Sequence, residues 1–212
     1  IYSYGEDALT LWLFSNEEQT KKFLEKLNDK SKIESCKLFY RPSFGRSSQS
    51  SFGEFDFIFL TPENLYLGES KWDKSGEIKI KKERVEIHLR DEQINRHLIF
   101  KKYLESWYEV GKDIWSIPKG KKKSILDKTI PNSNTLLAKN LETIFIEIKS
   151  FYNGNYPKIK NVLLYFYDSN KSKIDDNSSY EILFLNLDQK EKFEFIHIPY
   201  ISKLGNYIDI YN

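Results

Sequence analysis

The clearest pattern of apolar and polar positions lies in segment 53–71, where side chains alternate with a period of two. The alternation predicts a strand with Phe55, Phe57 and Phe59 on one face. Residues 61–64 then read Thr-Pro-Glu-Asn, with proline at the second position, where its fixed φ suits a type I turn. A second apolar segment follows the turn. We therefore predict a β-hairpin as the centre of the fold.

Elsewhere, apolar residues at helical spacing predict four helices, and short apolar runs predict further strands. The helices are expected over 5–14, from about 15 to 27, from 91 until the glycine at 111, and over 135–151. Strands are expected at 33–40, in a hairpin-like excursion over 77–89, and at 162–167, 180–187 and 193–200. This order predicts an α/β or α+β domain with a mixed central sheet flanked by helices. The last three strands are expected to extend that sheet.

Composition supports one folded domain. The chain has 212 residues, of which 40% are hydrophobic. This is enough for a single domain over 1–212, or at most for one domain with an appended lobe. Apolar runs such as 162–167 are far shorter than the roughly 20 residues that a membrane span needs. The first residues are acidic and show no signal-peptide pattern. The single cysteine, Cys36, excludes an internal disulfide and a cysteine-based zinc site. We expect a cytoplasmic protein with no membrane contact.

The net charge of +2, from 33 basic and 31 acidic side chains, does not by itself indicate a nucleic-acid partner. If the protein binds a nucleic acid, the basic side chains that contact it must be concentrated in one part of the chain. The candidates for phosphate contacts are Arg41 and Arg46 in a Ser-rich loop before the hairpin, and Lys119, Lys121, Lys122 and Lys123 in a basic insertion at about 112–134. For both groups the alternative is an ordinary solvated loop.

Two carboxylates and one ammonium fall at the same end of the predicted hairpin. Asp56 begins one strand and Glu69 ends its antiparallel neighbour, so the two lie side by side. Lys71 lies one pleat period beyond Glu69, on the same face. Unpaired buried charge is costly, and Mg²⁺ is a hard cation that binds through one or two carboxylates. The residues therefore indicate a metal site. The alternative is a solvated salt bridge of Lys71 with Glu69 or Asp56.

Asp56, followed after twelve residues by Glu69-Ser70-Lys71 on an apolar hairpin, resembles the signature of the PD-(D/E)xK nuclease superfamily. The resemblance covers about residues 5–108 and implies a restriction-endonuclease-like αβββαβ core. In that family the two acids bind Mg²⁺, for which Mn²⁺ substitutes, and the lysine assists the attacking water. The backbone carbonyl between them, here that of Ser70, commonly joins the metal. The chain departs from the pattern in lacking a proline before the aspartate.

The resemblance points to two further residues. A glutamate in the first helix often completes the metal site, and Glu6 is the best match. Its alternative is a carboxylate that complements the helix dipole. Many members place a glutamine at the start of the helix after the ExK strand, where this chain has Gln93, although the long 77–89 excursion precedes it. His97, on the apolar stripe of the same helix, is expected in the core or at the edge of the site.

The resemblance therefore implies a Mg²⁺-dependent DNA endonuclease of the restriction-enzyme or junction-resolvase kind. Asp56 and Glu69 would hold the metal, Lys71 would assist the water, and Gln93 and Glu6 would complete the pocket. RNA stays open as a substrate, and a homodimer would suit a two-fold symmetric target. The alternative is a catalytically inactive nuclease-fold subunit that binds nucleic acid within a larger defence or repair complex.

Overall fold

The computed structural model describes residues 1–44, 53–81, 84–116, 131–171, 180–185, 192–205 and 207–209. In chain order its elements are β1 (Tyr2–Ser3), α1 (Glu6–Ser15), α2 (Glu17–Lys26), β2 (Lys37–Tyr40), β3 (Phe57–Leu60), β4 (Leu65–Trp72), β5 (Ile78–Lys81), β6 (Arg84–Ile87), α3 (Asp91–Val110), α4 (Leu136–Phe151), β7 (Ile159–Asp168), β8 (Glu181–Phe184), β9 (Phe193–Tyr200) and β10 (Ile208–Asp209), with short 3₁₀ helices at Ile33–Ser35 and Gly111–Ser116.

The central sheet has five strands in the order β2-β3-β4-β7-β9. Strands β2, β3 and β4 are antiparallel neighbours, whereas β7 and β9 run parallel to β4. The connection from β4 to the parallel β7 passes through α3 and α4, because parallel neighbours need a crossover. The predicted mixed α/β architecture, with a mixed central sheet flanked by helices, is confirmed.

Helices cover both faces of the central sheet. Helices α1 and α2 pack on the face that carries Phe57, Phe59 and Tyr66. Helices α3 and α4 pack on the opposite face, against Ile58 and Leu60 among others. The apolar stripe predicted for α4 is buried at Leu137, Leu141, Ile144 and Ile148, whereas its last member, Phe151, is only partly buried. Because side chains alternate along the central strands, these strands contribute apolar residues to two layers, one on each face of the sheet. Within the described ranges, no helix combines the length and apolar character needed to cross a membrane.

The predicted hairpin forms with one correction. Strands β3 and β4 pair from Leu60 with Leu65 to Phe57 with Gly68, and the turn closes with Thr61 N–H donating to Asn64 O. The expectation that Phe55 shares a face with Phe57 and Phe59 is wrong. Phe55 packs on the α3 side, against Phe100. Strand β3 begins only at Phe57, so the alternation does not extend back to residue 55.

The last strands and the first predicted strand also differ from expectation. The 77–89 segment forms the expected hairpin, β5 and β6, but β8 pairs in parallel with β6 in a separate three-stranded sheet. Of the last three predicted strands, only β7 and β9 extend the central sheet. The small sheet packs its Val85 and Ile87 against Leu163 and Tyr165 of β7. The first predicted strand is shorter, because a 3₁₀ turn occupies Ile33–Ser35.

Candidate active site

The site forms where β3 and β4 separate. Their pairing ends at Phe57 and Gly68, and the next backbone bond runs from Asp56 N–H to Gly68 O at 3.2 Å. One step further, Asp56 Oδ2 accepts the Ser70 N–H at 2.7 Å, so a side chain replaces the missing strand partner. Because the N–H and C=O of one strand residue point to the same side, the Ser70 carbonyl faces the same gap. Asp56 is therefore fixed beside Glu69.

A close contact sets this register. The ring of Phe57 lies across Gly68, and a Cβ added to Gly68 would lie 1.9 Å from that ring. No side chain larger than hydrogen fits there, because a contact this short is repulsive. The absent side chain lets the aromatic ring cover the backbone of β4. This pair lies directly next to Asp56 and Glu69 and holds the two strands at the spacing that brings the carboxylates together.

Glu69 is 1% exposed and is held by three side chains of α3. Gln93 Nε2 donates to Glu69 Oε2 at 3.0 Å, and Arg96 Nη1 donates to Oε1 at 2.7 Å. His97 Nε2 lies 3.3 Å from Oε1. The three residues follow the i, i+3, i+4 spacing that places side chains on one face of a helix. The structure thus brings the predicted Gln93 into direct contact with the predicted Glu69.

Charge and hydrogen bonding keep Glu69 ionised. Burial opposes its ionisation, but the hydrogen bond from His97 and the positive charge of Arg96 outweigh burial and lower the pKa of Glu69. His97 Nδ1 in turn lies 2.9 Å from Asn161 Oδ1, and Asn161 Nδ2 donates to the Lys192 carbonyl. That donation places the oxygen of the Asn161 amide toward His97, which orients Nε2 of the ring toward Glu69.

Lys71 is buried and surrounded by acids. Its Nζ lies 3.3 Å from Glu6 Oε1 and 3.2 Å from Glu77 Oε2. Burial lowers the pKa of Lys71, but the charges of Glu6, Asp56, Glu77 and Glu69 outweigh it and raise the pKa above its ordinary value. Lys71 is therefore a protonated ammonium. The alternative of a solvated salt bridge with Glu69 or Asp56 is wrong, since Lys71 is buried and its ion pairs are with Glu6 and Glu77.

Glu6 enters the site from the first turn of α1. Its carboxylate contacts Lys71, and its pKa is raised because burial outweighs the charge of Lys71. The helix is fixed to β4 by Thr10, whose hydroxyl lies between the Glu6 carbonyl, at 2.9 Å, and the Ser70 hydroxyl, at 2.7 Å. The structure therefore places Glu6 at the predicted site, with Lys71 as its partner.

Asp56 is a second carboxylate of the site whose ionisation is opposed by its surroundings. Burial and repulsion from Glu69 raise its pKa to about 7, against the opposing effect of the Ser70 N–H. Among the described residues, its second oxygen, Oδ1, accepts no hydrogen bond. A carboxylate with a raised pKa, a like charge beside it and an open oxygen needs a further cation or a proton.

The donor set suits Mg²⁺ bound through two carboxylates. In the described part of the chain, no three or more His, Cys, Asp or Glu side chains are grouped to hold a metal ion. Mg²⁺ does not need such a cage, because it keeps several waters and takes one or two carboxylates. Asp56 Oδ1, Glu69 Oε2 and the Ser70 carbonyl are hard oxygen donors of the appropriate kind. These oxygen donors therefore suit Mg²⁺. Glu69 would contact both the ion and the side chains of α3.

The predicted phosphate-contacting residues are only partly described. Arg41 donates its backbone N–H to the Asp56 carbonyl at 3.0 Å, so it lies at the edge of the site. Its guanidinium is paired with Asp7 at 2.5 Å and Glu54 at 3.2 Å. A phosphate would have to compete with those two carboxylates. The remaining candidates, Arg46, Lys119, Lys121, Lys122 and Lys123, lie outside the described residues.

Sequence reasoning missed Arg96 and Glu77. The signal for Arg96 was available, since it lies three residues after Gln93 and one before His97, on the helical face that meets Glu69. Glu77 offers no local signal, because it reaches Lys71 from the turn between β4 and β5. Comparison with protein-family models, with curated proteins and with solved structures gives no match to this chain.

Proposed function

We propose that this protein is a Mg²⁺-dependent DNA endonuclease of the PD-(D/E)xK type, for which Mn²⁺ substitutes. One observation carries the proposal. The Ser70 N–H fixes Asp56 beside the buried Glu69, with the Lys71 ammonium two residues further along β4. Two acids and a lysine in this order, at the point where two paired strands separate, match the arrangement expected from the sequence.

The order of elements supports a restriction-endonuclease-like αβββαβ core. Helices α1 and α2 are followed by the antiparallel strands β2, β3 and β4. After the β5–β6 hairpin come α3 and α4, and then β7, which is parallel to β4. The candidate site lies on β3 and β4 near the middle of this sheet, and α1 and α3 reach it from opposite faces. Helix α1 contributes Glu6 and α3 contributes Gln93.

Asp56, Glu69 and the Ser70 carbonyl would hold the metal. When bound, Mg²⁺ lowers the pKa of a coordinated water and offsets charge on the phosphate. The charges of the neighbouring carboxylates raise the pKa of Lys71, which favours its protonated form. It donates hydrogen bonds, which orient the attacking water or stabilise negative charge on a phosphate oxygen.

Two further residues hold this machinery in place. Gln93 donates to Glu69 Oε2 and fixes the plane of that carboxylate. Glu6 holds the ammonium of Lys71. Both contacts restrict the reacting groups to one arrangement, which is how a preorganised site lowers the barrier of a reaction.

The test uses two substrates without ends, supercoiled plasmid and circular single-stranded DNA, each with Mg²⁺, with Mn²⁺ and with chelator. Cleavage of either circle is endonucleolytic. We expect metal-dependent cleavage by the wild type and a loss of about 100-fold or more for Lys71→Met and Glu69→Gln. Lys79→Ala, an exposed lysine of β5, is the matched control and should cleave normally. Equal cleavage by all four proteins, or none by the wild type, contradicts the proposal.

A second function is favoured by one contact. Arg96 already neutralises Glu69 at 2.7 Å, as expected of a nuclease-fold subunit that binds nucleic acid and has lost cleavage. Under that alternative the wild type binds DNA in a gel-shift assay with and without metal and cleaves neither circle. Metal-dependent cleavage that Glu69→Gln abolishes excludes the alternative.

A further inference from the structure

A cluster of aromatic rings lies in contact with solvent next to the candidate site. Most aromatic side chains of the described chain are buried in the core, but Tyr4 is 51% exposed and Tyr207 is 47% exposed. The rings of Tyr4 and Trp72 meet edge to face with centroids 5.0 Å apart, and Tyr207 lies 5.6 Å from Tyr4. The Lys74 ammonium lies 4.9 Å from the Trp72 ring and 5.4 Å from the Tyr4 ring.

Two of the three chain segments that form the cluster also carry proposed catalytic groups. Trp72 follows Lys71 at the end of β4, and its side chain lies on the opposite face of the strand, on the side of α1. Tyr4 lies two residues before Glu6, which is the first residue of α1 and contacts Lys71. A nucleotide whose phosphate reaches Lys71 therefore has its neighbour within reach of the rings.

The local charges suit a nucleotide. Lys74 is exposed and lies beside the rings, where it can pair with a phosphate. The acidic residue between it and Trp72, Asp73, is turned to other partners: Oδ1 accepts the Tyr200 hydroxyl and Oδ2 accepts the Asp168 N–H. The charge of Lys74 is thus not cancelled by its neighbour along the chain.

We propose that Tyr4, Trp72, Tyr207 and Lys74 form a subsite for an unpaired nucleobase next to the scissile phosphate. The placement of that phosphate rests on the proposed function. Every base has a π-face that stacks on aromatic side chains regardless of sequence, whereas the faces of paired bases in a duplex are already stacked. The substrate class is therefore single-stranded or branched nucleic acid.

Fluorescence tests the subsite without cleavage. Trp12, Trp107 and Trp115 are buried, so quenching by a stacked base reports mainly on Trp72. A 12-mer of deoxythymidine is titrated in chelator, with a duplex of equal length and a 12-mer of uridine as separate arms. We expect the single strand to quench the emission and to bind at least fivefold more tightly than the duplex. The uridine arm shows whether DNA is preferred over RNA.

Anisotropy with labelled oligonucleotides tests the residues. Tyr4→Ala and Trp72→Ala should each weaken single-strand binding by about fivefold or more, as expected for loss of one stacked base. Trp72→Phe keeps an aromatic face and should bind nearly as the wild type does. Lys74→Ala should weaken binding and reduce the slope of log affinity against log salt concentration by about one. Lys79→Ala should change neither the affinity nor the slope.

The possible outcomes separate this inference from the proposed function. Unchanged Trp72 emission, together with unchanged binding by Tyr4→Ala and Trp72→Ala, overturns the subsite even if the wild type cleaves DNA. Equal binding of single strand and duplex also overturns it. Quenching and weakened binding by the variants support the subsite even if no circle is cleaved, in which case only the catalytic proposal fails.

Discussion

Arg96 Nη1 lies 2.7 Å from Glu69 Oε1, so the buried carboxylate of β4 has a cationic partner from α3. The same guanidinium nitrogen donates to the Glu54 carbonyl, and the group lies 5.7 Å from the Phe55 ring. Gly53 passes so close that a Cβ there would lie 2.6 Å from Arg96 Nη2. Arg96 therefore connects the segment that enters β3 with the carboxylate of β4.

Replacing Arg96 with glutamine should destabilise the protein by about 3–5 kcal/mol at pH 7, because Glu69 would remain as a buried charge without its cation. Urea unfolding measures the change. Arg84→Gln is the matched control, since its pair with Glu181 is exposed and should contribute less than about 1 kcal/mol. Equal costs for the two variants would show that the Arg96 contact is not a buried ion pair in solution.

Metal should partly compensate for the loss of Arg96. A ligand that binds only the folded state stabilises it in proportion to the logarithm of its concentration over Kd. Removal of the competing guanidinium increases the affinity of Glu69 for a cation, so Mn²⁺ should raise the Tm of Arg96→Gln more than that of the wild type. Calorimetric titration with Mn²⁺ gives the affinities directly. An identical or smaller Tm rise in the variant would contradict this competition.

Asp56→Asn should make the protein more stable at pH 8 but not at pH 4. The pKa of Asp56 is raised to about 7, so the folded state holds a proton that the unfolded state, with a pKa near 3.9, releases. Stability from this proton is present below pH 4 and is lost as the pH rises through 7. Asparagine remains neutral and can still accept the Ser70 N–H.

The expected gain for Asp56→Asn at pH 8 is up to about 3 kcal/mol, because water reaching the half-buried carboxylate weakens the effect. Denaturant unfolding of both proteins from pH 4 to 8 measures it. Mg²⁺ should reduce the difference, since a bound cation stabilises the ionised carboxylate. A stability difference that is flat across this range would mean that Asp56 titrates normally.

Gly68→Ala should destabilise the protein by about 1–3 kcal/mol, because the new methyl group collides with the Phe57 ring. Phe57→Ala alone should cost about 3–5 kcal/mol through the cavity it leaves. In the double variant the methyl group fits the space of the ring, so its cost should be smaller than the two single costs added. Strict additivity, measured by urea unfolding, would show that the ring does not cover Gly68.

The local features of the fold were predictable from the sequence. Helices α1 to α4 follow from apolar spacing. In the structure Asn16 caps α2 by accepting the Gln19 N–H, and Thr135 caps α4 by accepting the Ala138 N–H. The hairpin follows from its alternation and its turn. These signals depend on residues near one another in sequence, so periodicity and capping chemistry determine them.

The missed features depend on contacts between distant segments. Strand β8 pairs with β6 rather than with a strand of the central sheet. The apolar pattern of 180–187 is compatible with either pairing. Phe55 faces α3 because β3 begins two residues later than the alternation suggests. For the site, the positions of Asp56 and Glu69 follow from the hairpin, whereas the pairing of Lys71 with Glu77 depends on how the chain turns after β4.

Metal-dependent nicking is tested most directly by the initial rate at which supercoiled plasmid becomes nicked in Mn²⁺. This rate is compared between the wild type, Glu69→Gln and Lys79→Ala. Each preparation is first shown to be folded by its unfolding transition. We expect equal nicking by the wild type and Lys79→Ala, and a rate for Glu69→Gln that is lower by about 100-fold or more. Nicking by folded Glu69→Gln at the wild-type rate would contradict the proposed role of Glu69 in cleavage.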